Sequence, residues 1–312
     1  MNGLKLAGLG CAAPSRVITN DDMRAYVETS DEWIASRTGI RQRRFAQDDE
    51  SLLSFASDAA RQALRDSGIS PDELACVLCA TVSWAYAMPS LACLVQAELG
   101  LPEDIPAADV NAACSGFLYA AEMARAMMLA SGKRYALVIG CETMSRLLNM
   151  SERSTCVLFG DGAGAAVLEL IPQALYASVL GSRGSTVIEA GNVGCAKLYL
   201  HMDGPAVYRF AVDTVPKQLE ALLIKAQMTL EDIDWIVCHQ ANERIIDACI
   251  KKLRAPQEKF YKNIAHWGNT SAASIPIALC EMKQNGLLSS GGRIACVGFG
   301  AGLSWAALLL TT

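Results

Sequence analysis

Histidine is scarce in this chain of 312 residues, which has only His201, His239 and His266, so any imidazole chemistry must come from one of these three positions. Charged residues are also sparse, at 19%, and sum to −5, without the positive excess of a general nucleic-acid binder. No apolar run is long and uniform enough to span a bilayer. The best candidate, IACVGFGAGLSWAALLL at 294–310, is broken by Gly298, Gly300 and Gly302 and reads as two buried strands around a tight turn. The opening MNGLKLAGLGCAAPSRV starts like a secretion signal, but Pro14 and Arg16 end it too early. Low-complexity tracts and Pro/Ser/Gly-rich linkers are absent as well. Cysteine, by contrast, is plentiful: most of the twelve lie inside apolar runs (ACVLCA, TCVLF, IACVG) without the framework spacing of a small secreted domain. Reduced thiols in a cytoplasmic protein are expected.

The length allows one large domain or two intimately packed ones. Internal similarity favours the second arrangement. ISPDELACVL at 69–78 aligns with MTLEDIDWIV at 228–237, each a turn with two acids before a short apolar strand. GDGAGAAVLEL at 160–170 aligns with GFGAGLSWAALLL at 298–310. Helical stretches at 57–67, 117–131, 215–228 and 243–253 alternate with the strands, which predicts α/β layers with mainly parallel sheets. The expectation is two duplicated α/β halves, 1–170 and 171–312, with a site between them.

Three residues stand out by address. In VNAACSGFLYAAEMARAM, Cys114 sits where an extended small-residue run, 107–113, gives way to a helical one. The partial positive charge of a helix N-terminus favours a thiolate there, and Ala112, Ala113 and Gly116 leave room for a substrate. A core cysteine satisfies the same local pattern. His239, in DWIVCHQANERI, closes an apolar strand, where α/β proteins place ligands and where a structural histidine also fits. Asn269, in HWGNTSAASIP, precedes a helix whose Pro276 is tolerated in its first turn; it also reads as a plain turn asparagine. Other signals are weaker. GLGCAA at 8–13 mimics a dinucleotide turn, but Pro14 interrupts the helix that would hold the pyrophosphate. Cys76 and Cys79 alternate along a strand and point to opposite faces, so they read as core thiols and no metal site is expected.

SDEWIASRTGIRQRR, AACSGF, FGDGAGAAVL, HQAN, GNTSAASIP and GFGAG, in that order from residue 30 to 302, together resemble β-ketoacyl-acyl-carrier-protein synthase III. The resemblance implies a thiolase-like fold, layered α-β-α-β-α, and a homodimer without metal or bound redox cofactor. It implies a decarboxylative condensation of a short acyl-CoA with malonyl-acyl-carrier protein, which begins bacterial fatty-acid synthesis. The implied triad is Cys114, His239 and Asn269, with the backbone N–H of Cys114 and one from the glycine turn at Ala301 as oxyanion donors. For CoA it implies an adenine wall of Trp33 and Arg37 with Arg153 opposite, and Asn242 on pantetheine. Arg209 and Arg244 stand at the implied tunnel mouth, where phosphates and an acidic carrier protein dock. Met88 replaces a bulky apolar residue that lines the neighbouring subunit's acyl pocket, which leaves primer identity open. Relatives of a specialised polyketide- or quinolone-like pathway share these motifs, and a non-catalytic acyl-CoA-binding protein is the rival from another class. A thiolase would want a second cysteine near the C-terminal glycine turn, where Phe299-Gly300-Ala301-Gly302 stands.

Overall fold

The computed structural model describes residues 2–191 and 198–312. Its largest sheet has nine strands: β1 (Gly3–Ala12), β2 (Leu74–Ala80), β3 (Ala107–Val110), β4 (Tyr135–Thr143), β5 (Asp161–Ile171), β6 (Ser178–Ser185), β7 (Trp235–Cys238), β8 (Arg293–Gly300) and β9 (Gly302–Thr311). The order is β7-β8-β9-β1-β5-β4-β2-β3, with β6 paired to β9. β5 lies antiparallel between β1 and β4, and β2 lies parallel between β4 and β3. The same plan recurs later in the chain, where β9 is antiparallel to both β6 and β8 and β7 runs parallel to β8. The two sets touch where Lys5 of β1 pairs with Thr311 of β9.

Strands covered on both faces read as continuous apolar runs, and every residue of β2 is buried. Its alternate side chains feed different layers. Cys76 and Leu78 join a central cluster that includes Phe117, Leu118 and Met128 of helix Gly116–Ser131, Leu279 of helix Ser274–Gln284, and Leu308 of β9. Val77 and Cys79 face the opposite way, onto Phe55 and Ala59 of helix Leu52–Ser67 and Leu91 of helix Leu91–Glu98. Beyond β8 and β9, Val297 and Leu309 pack on helices Gly204–Ala226 and Glu243–Leu253. The layers therefore run helix, sheet, helix, sheet, helix. Each buried Leu, Ile or Phe contributes on the order of 1.5–3 kcal/mol to holding them together.

Two helices begin earlier than their periodicity indicates. Ser51 and Ser54 form a reciprocal capping box that starts the first at Leu52. Asp203 caps the other and Pro205 occupies its first turn, while Pro216 lies in the interior. The GLGCA run is part of β1, not a phosphate turn. The C-terminal apolar run is the β8–β9 hairpin, turning at Ala301. Its counterpart in the sequence, Gly160–Gly164, instead opens β5 after a loop.

Candidate active site

β3 ends at Val110, and a tight turn, Ala113–Ser115, carries the chain into helix Gly116–Ser131. Ala113 takes a left-handed φ of 48°, a conformation costing about 1–2 kcal/mol for a residue with a side chain. The strain bends the chain so that Cys114 lines a cavity of about 550 Å³. Gly300 closes this wall from the β8–β9 hairpin: a Cβ there would stand 2.7 Å from the Cys114 nitrogen and 3.0 Å from its Cβ. Only a hydrogen lets the hairpin approach, and Ala301 then lines the same cavity.

The thiol does not have the depressed pKa that the helix start suggests. Burial pushes Cys114 up to about 12, a hydrogen bond with Ser271 pulls it down, and the charge of Glu142 pushes it further up. With desolvation the largest cause, the resting group is a thiol.

His239 follows β7 directly, and its backbone N–H donates to Val297 O at 2.8 Å. The ring stands edge-on to Phe299, with centroids 5.3 Å apart. Nδ1 lies 2.6 Å from Ser274 Oγ, which also accepts the N–H of Gln240 at 3.4 Å. Nδ1 and this hydroxyl share one hydrogen, and with the hydroxyl as its donor the proton of the neutral ring sits on Nε2. Burial lowers the imidazole to about 3, so the ring stays neutral at working pH.

Asn269 is held by its backbone between Leu158 O (2.8 Å) and the Gly160 N–H (3.0 Å), and its Oδ1 accepts the Ser271 N–H at 2.9 Å. With Oδ1 engaged, Nδ2 is the atom free to donate. Cys114, His239 and Asn269 line one cavity together with Ala301. Ser271, Ser274 and Glu142 escape sequence reading, although a lone acid near the end of the buried run YALVIGCET is a signal of a kind.

The other expected residues divide. Asn242 lines the cavity; its Nδ2 donates to Arg37 O at 3.1 Å, which ties the cavity rim to helix Asp31–Thr38. Ser154 also lines it, next to Arg153. The Arg37 and Arg153 guanidiniums lie 4.6 and 4.5 Å from the Trp33 ring, and Arg153 donates to Glu28 O at 2.9 Å. Both cations stack on the indole itself.

Arg209 lies outside the lining of the Cys114 cavity. Val207 and Tyr208 face the Cys114 cavity, whereas Arg209 lines a separate one with Arg183, Lys217 and Trp305. Successive helix residues point about 100° apart, which accounts for the division. Arg244 is exposed in the first turn of helix Glu243–Leu253 and lines neither cavity. Met88 is 81% exposed and likewise absent from its own chain's cavity.

A duplicated α/β frame that brings a cysteine, a neutral histidine and an asparagine to one cavity defines a thiolase-fold condensing enzyme. Two family models match, "3-Oxoacyl-[acyl-carrier-protein (ACP)] synthase III" over residues 108–184 and its C-terminal counterpart over 223–312. β-Ketoacyl-[acyl-carrier-protein] synthase III of Symbiobacterium thermophilum is 43% identical, over 98% of this chain and 97% of its own. The crystal structure of 3-oxoacyl-[acyl-carrier-protein] synthase III from Aquifex aeolicus VF5 superposes with a TM-score of 0.92 at 42% identity, covering 98% of this chain and 99% of that one. The priming β-ketosynthase of the R1128 polyketide pathway has the same TM-score, 0.92, at 34% identity, covering 99% and 96%. The chain belongs to the β-ketoacyl-acyl-carrier-protein synthase III family, acyltransferases that carry out the initiating condensation of fatty-acid synthesis.

Proposed function

We propose that Cys114 takes the acyl group of a short acyl-CoA as a thioester and passes it to the carbanion derived from malonyl-acyl-carrier protein. In the first half-reaction the sulfur attacks the thioester carbonyl and CoA leaves, which splits one difficult transfer into two easier steps. In the second, loss of CO2 places enolate charge on the malonyl thioester oxygen. The Nε2–H of His239 and Nδ2–H of Asn269 donate to that oxygen. A ring held neutral by burial is a donor that does not consume a proton in the step. The carbanion then attacks acyl-Cys114 and releases the β-ketoacyl carrier protein. Each tetrahedral oxyanion is held by the N–H of Cys114 and one from the turn at Ala301.

The observation that carries this reading is the convergence of Cys114, His239, Asn269 and Ala301 on one cavity. The pantetheine arm enters along Asn242, with the nucleotide near Trp33, Arg37 and Arg153. Arg244 receives the carrier protein, and Arg209 lies beside that face in its own basic recess. The exposed Met88 extends toward the acyl pocket of a second copy in a homodimer. Protein groups alone suffice, without metal or redox cofactor, and a cytoplasmic setting agrees with eleven free cysteines among the described residues. The recurring strand plan supports two halves, 1–170 and 171–312. No helix among the described residues is long and apolar enough to cross a membrane.

Intact-mass measurement after incubation with acetyl-CoA tests the reading. One acetyl adduct on Cys114, discharged by malonyl-carrier protein, is expected. Product formation without such an adduct, or an adduct that malonyl-carrier protein cannot discharge, overturns it.

A further inference from the structure

Among the described residues, no ionisable base is a hydrogen-bond partner of the Cys114 thiol. His239 is neutral, and its Nδ1 is occupied by Ser274. Behind Cys114 lies a group that the condensation described above does not use. Glu142, near the end of β4, is fully buried. Its Oε2 accepts from Thr81 Oγ1 (3.2 Å), from the Val82 and Ser83 N–H groups (3.1 Å each) and from Ser83 Oγ (2.5 Å). Among the described residues Oε1 has one donor, the Ser271 hydroxyl at 3.1 Å. Ser271 lines the same cavity as Cys114, and the turns Ala113–Ser115 and Ser271–Ala273 pack on each other, so the hydroxyl stands between the sulfur's turn and the carboxylate.

The surroundings of Glu142 are uncharged. No Lys, Arg or His pairs with it among the described residues, and the titratable groups that sense its charge are Cys114, from the turn before helix Gly116–Ser131, and Cys141, its neighbour on β4. Two of its partners, Thr81 and Ser83, come from the segment after β2, and Ser271 comes from the turn before helix Ser274–Gln284. Burial raises the carboxyl to about 7, although these hydrogen bonds oppose the rise.

We propose that Glu142 takes up the Cys114 proton through the Ser271 hydroxyl when the sulfur becomes a nucleophile. The thiol proton passes to Ser271 Oγ as the serine proton passes to Glu142 Oε1. The products are a thiolate, an unchanged serine and a neutral carboxylic acid. The pair carries a charge of −1 before and after, so the dry pocket never holds two anions. That condition matters because a charged Glu142 raises the cost of ionising Cys114. When the bond to CoA breaks, the proton passes from Glu142 through Ser271 to the CoA sulfur, so CoA leaves as the thiol and the carboxylate is restored. Glu142 acts through Ser271 and does not touch substrate.

The inference rests on Cys114 being the acyl carrier, but its test does not depend on acyl transfer. Alkylation of Cys114 by iodoacetamide, followed by site-resolved peptide mass spectrometry against pH, reads the thiol directly. In the unaltered protein the rate is expected to rise to a plateau near pH 7, because the pair loses its first proton as a unit. Glu142→Gln should remove the plateau, leaving a rate that climbs about tenfold per pH unit through and beyond neutral pH. Ser271→Ala should do the same with the carboxylate still in place, and Glu142→Asp should restore part of the plateau. A merely structural role for Glu142 would change rates without moving the limb. If Glu142→Gln does not fold, the unaltered profile and Ser271→Ala decide. A plateau that survives Ser271→Ala or Glu142→Gln, or an unaltered protein with no neutral limb, overturns the proposal. Failure to form an acyl adduct at Cys114 would instead count against the function.

Discussion

The turn Ala113–Ser115 and the turn Ser271–Ala273 share one backbone plan. Each includes a non-glycine residue in the left-handed region, Ala113 at φ 48° and Ser271 at φ 50°, and each runs into a helix with no side-chain cap bond. The two turns pack on each other, and each is pressed by a glycine on a neighbouring strand. A Cβ on Gly300 would stand 2.7 Å from Cys114 N, and one on Gly140 would stand 2.3 Å from Ala272 O. Their contents differ. The first turn carries the reacting sulfur among small residues; the second holds Ser271 and leads directly to Ser274, which touch Cys114, Glu142 and His239. Similar strained turns have thus divided the work, with one presenting the nucleophile and the other arranging the polar groups around it.

The division breaks most completely at Gly300. In Gly300→Ala the added methyl pushes the hairpin off the Cys114 turn, so acyl loading and condensation should both fall by about 10³-fold while the protein still folds. A Gly300→Ala enzyme with normal loading, measured by adduct mass, would show that hairpin and cysteine turn are not a unit. Next comes Asn269→Ala. It removes one enolate donor and leaves the sulfur itself in place, although Oδ1 also anchors Ser271, so loading should fall far less than condensation of the loaded enzyme, which should drop about 10²–10³-fold. Quenched-flow measurement of the two half-reactions separates them. Full condensation by this variant would sink the triad.

Much of this frame is legible in the residues. The strand–turn–helix around Cys114, the histidine closing β7, the C-terminal hairpin and helix Glu243–Leu253 follow from apolar runs, glycines and helix formers. The counterpart of the cysteine turn is not legible, because Ser271-Ala272-Ala273 and Ala113-Cys114-Ser115 share a backbone angle rather than a spelling. His239 draws attention as the second-half equivalent, yet it ends the strand that corresponds to β2. Periodicity also says nothing about solvent depth, which is why a helix N-terminus suggests a low thiol pKa where burial dictates a high one. The Arg209 orientation depends on helix Gly204–Ala226, whose first turns lie ahead of the helical stretch expected at 215–228.

Ser274→Ala sharpens the comparison further, because it removes one atom from the second helix and nothing from the first. Without the hydroxyl, Nδ1 has no partner fixing the tautomer, and the ring spends part of its time with Nε2 unable to donate. Condensation should fall about tenfold, an effect of the size expected from loss of a partner that orients a catalytic histidine. Loading should be unchanged. Equal losses in both half-reactions would place Ser274 with the nucleophile and erase the division.

The smallest effect is in stability, where the two walls oppose each other. Glu142 is raised to about 7 from an ordinary value near 4.5, so the folded state binds more protons than the unfolded state between those values and loses stability as pH rises through them. His239 is lowered to about 3 from 6.5, so the folded state binds fewer protons there and gains stability as pH rises through that window. Between about pH 4.5 and 6.5 the two slopes, each up to about 1.4 kcal/mol per pH unit, cancel. Glu142→Gln should unmask the rising slope and His239→Phe the falling one, each relative to the unaltered protein in urea titrations at matched pH. Two variants with the same slope would mean that these groups do not titrate as their burial requires, and the opposition between the walls would then be one of position alone.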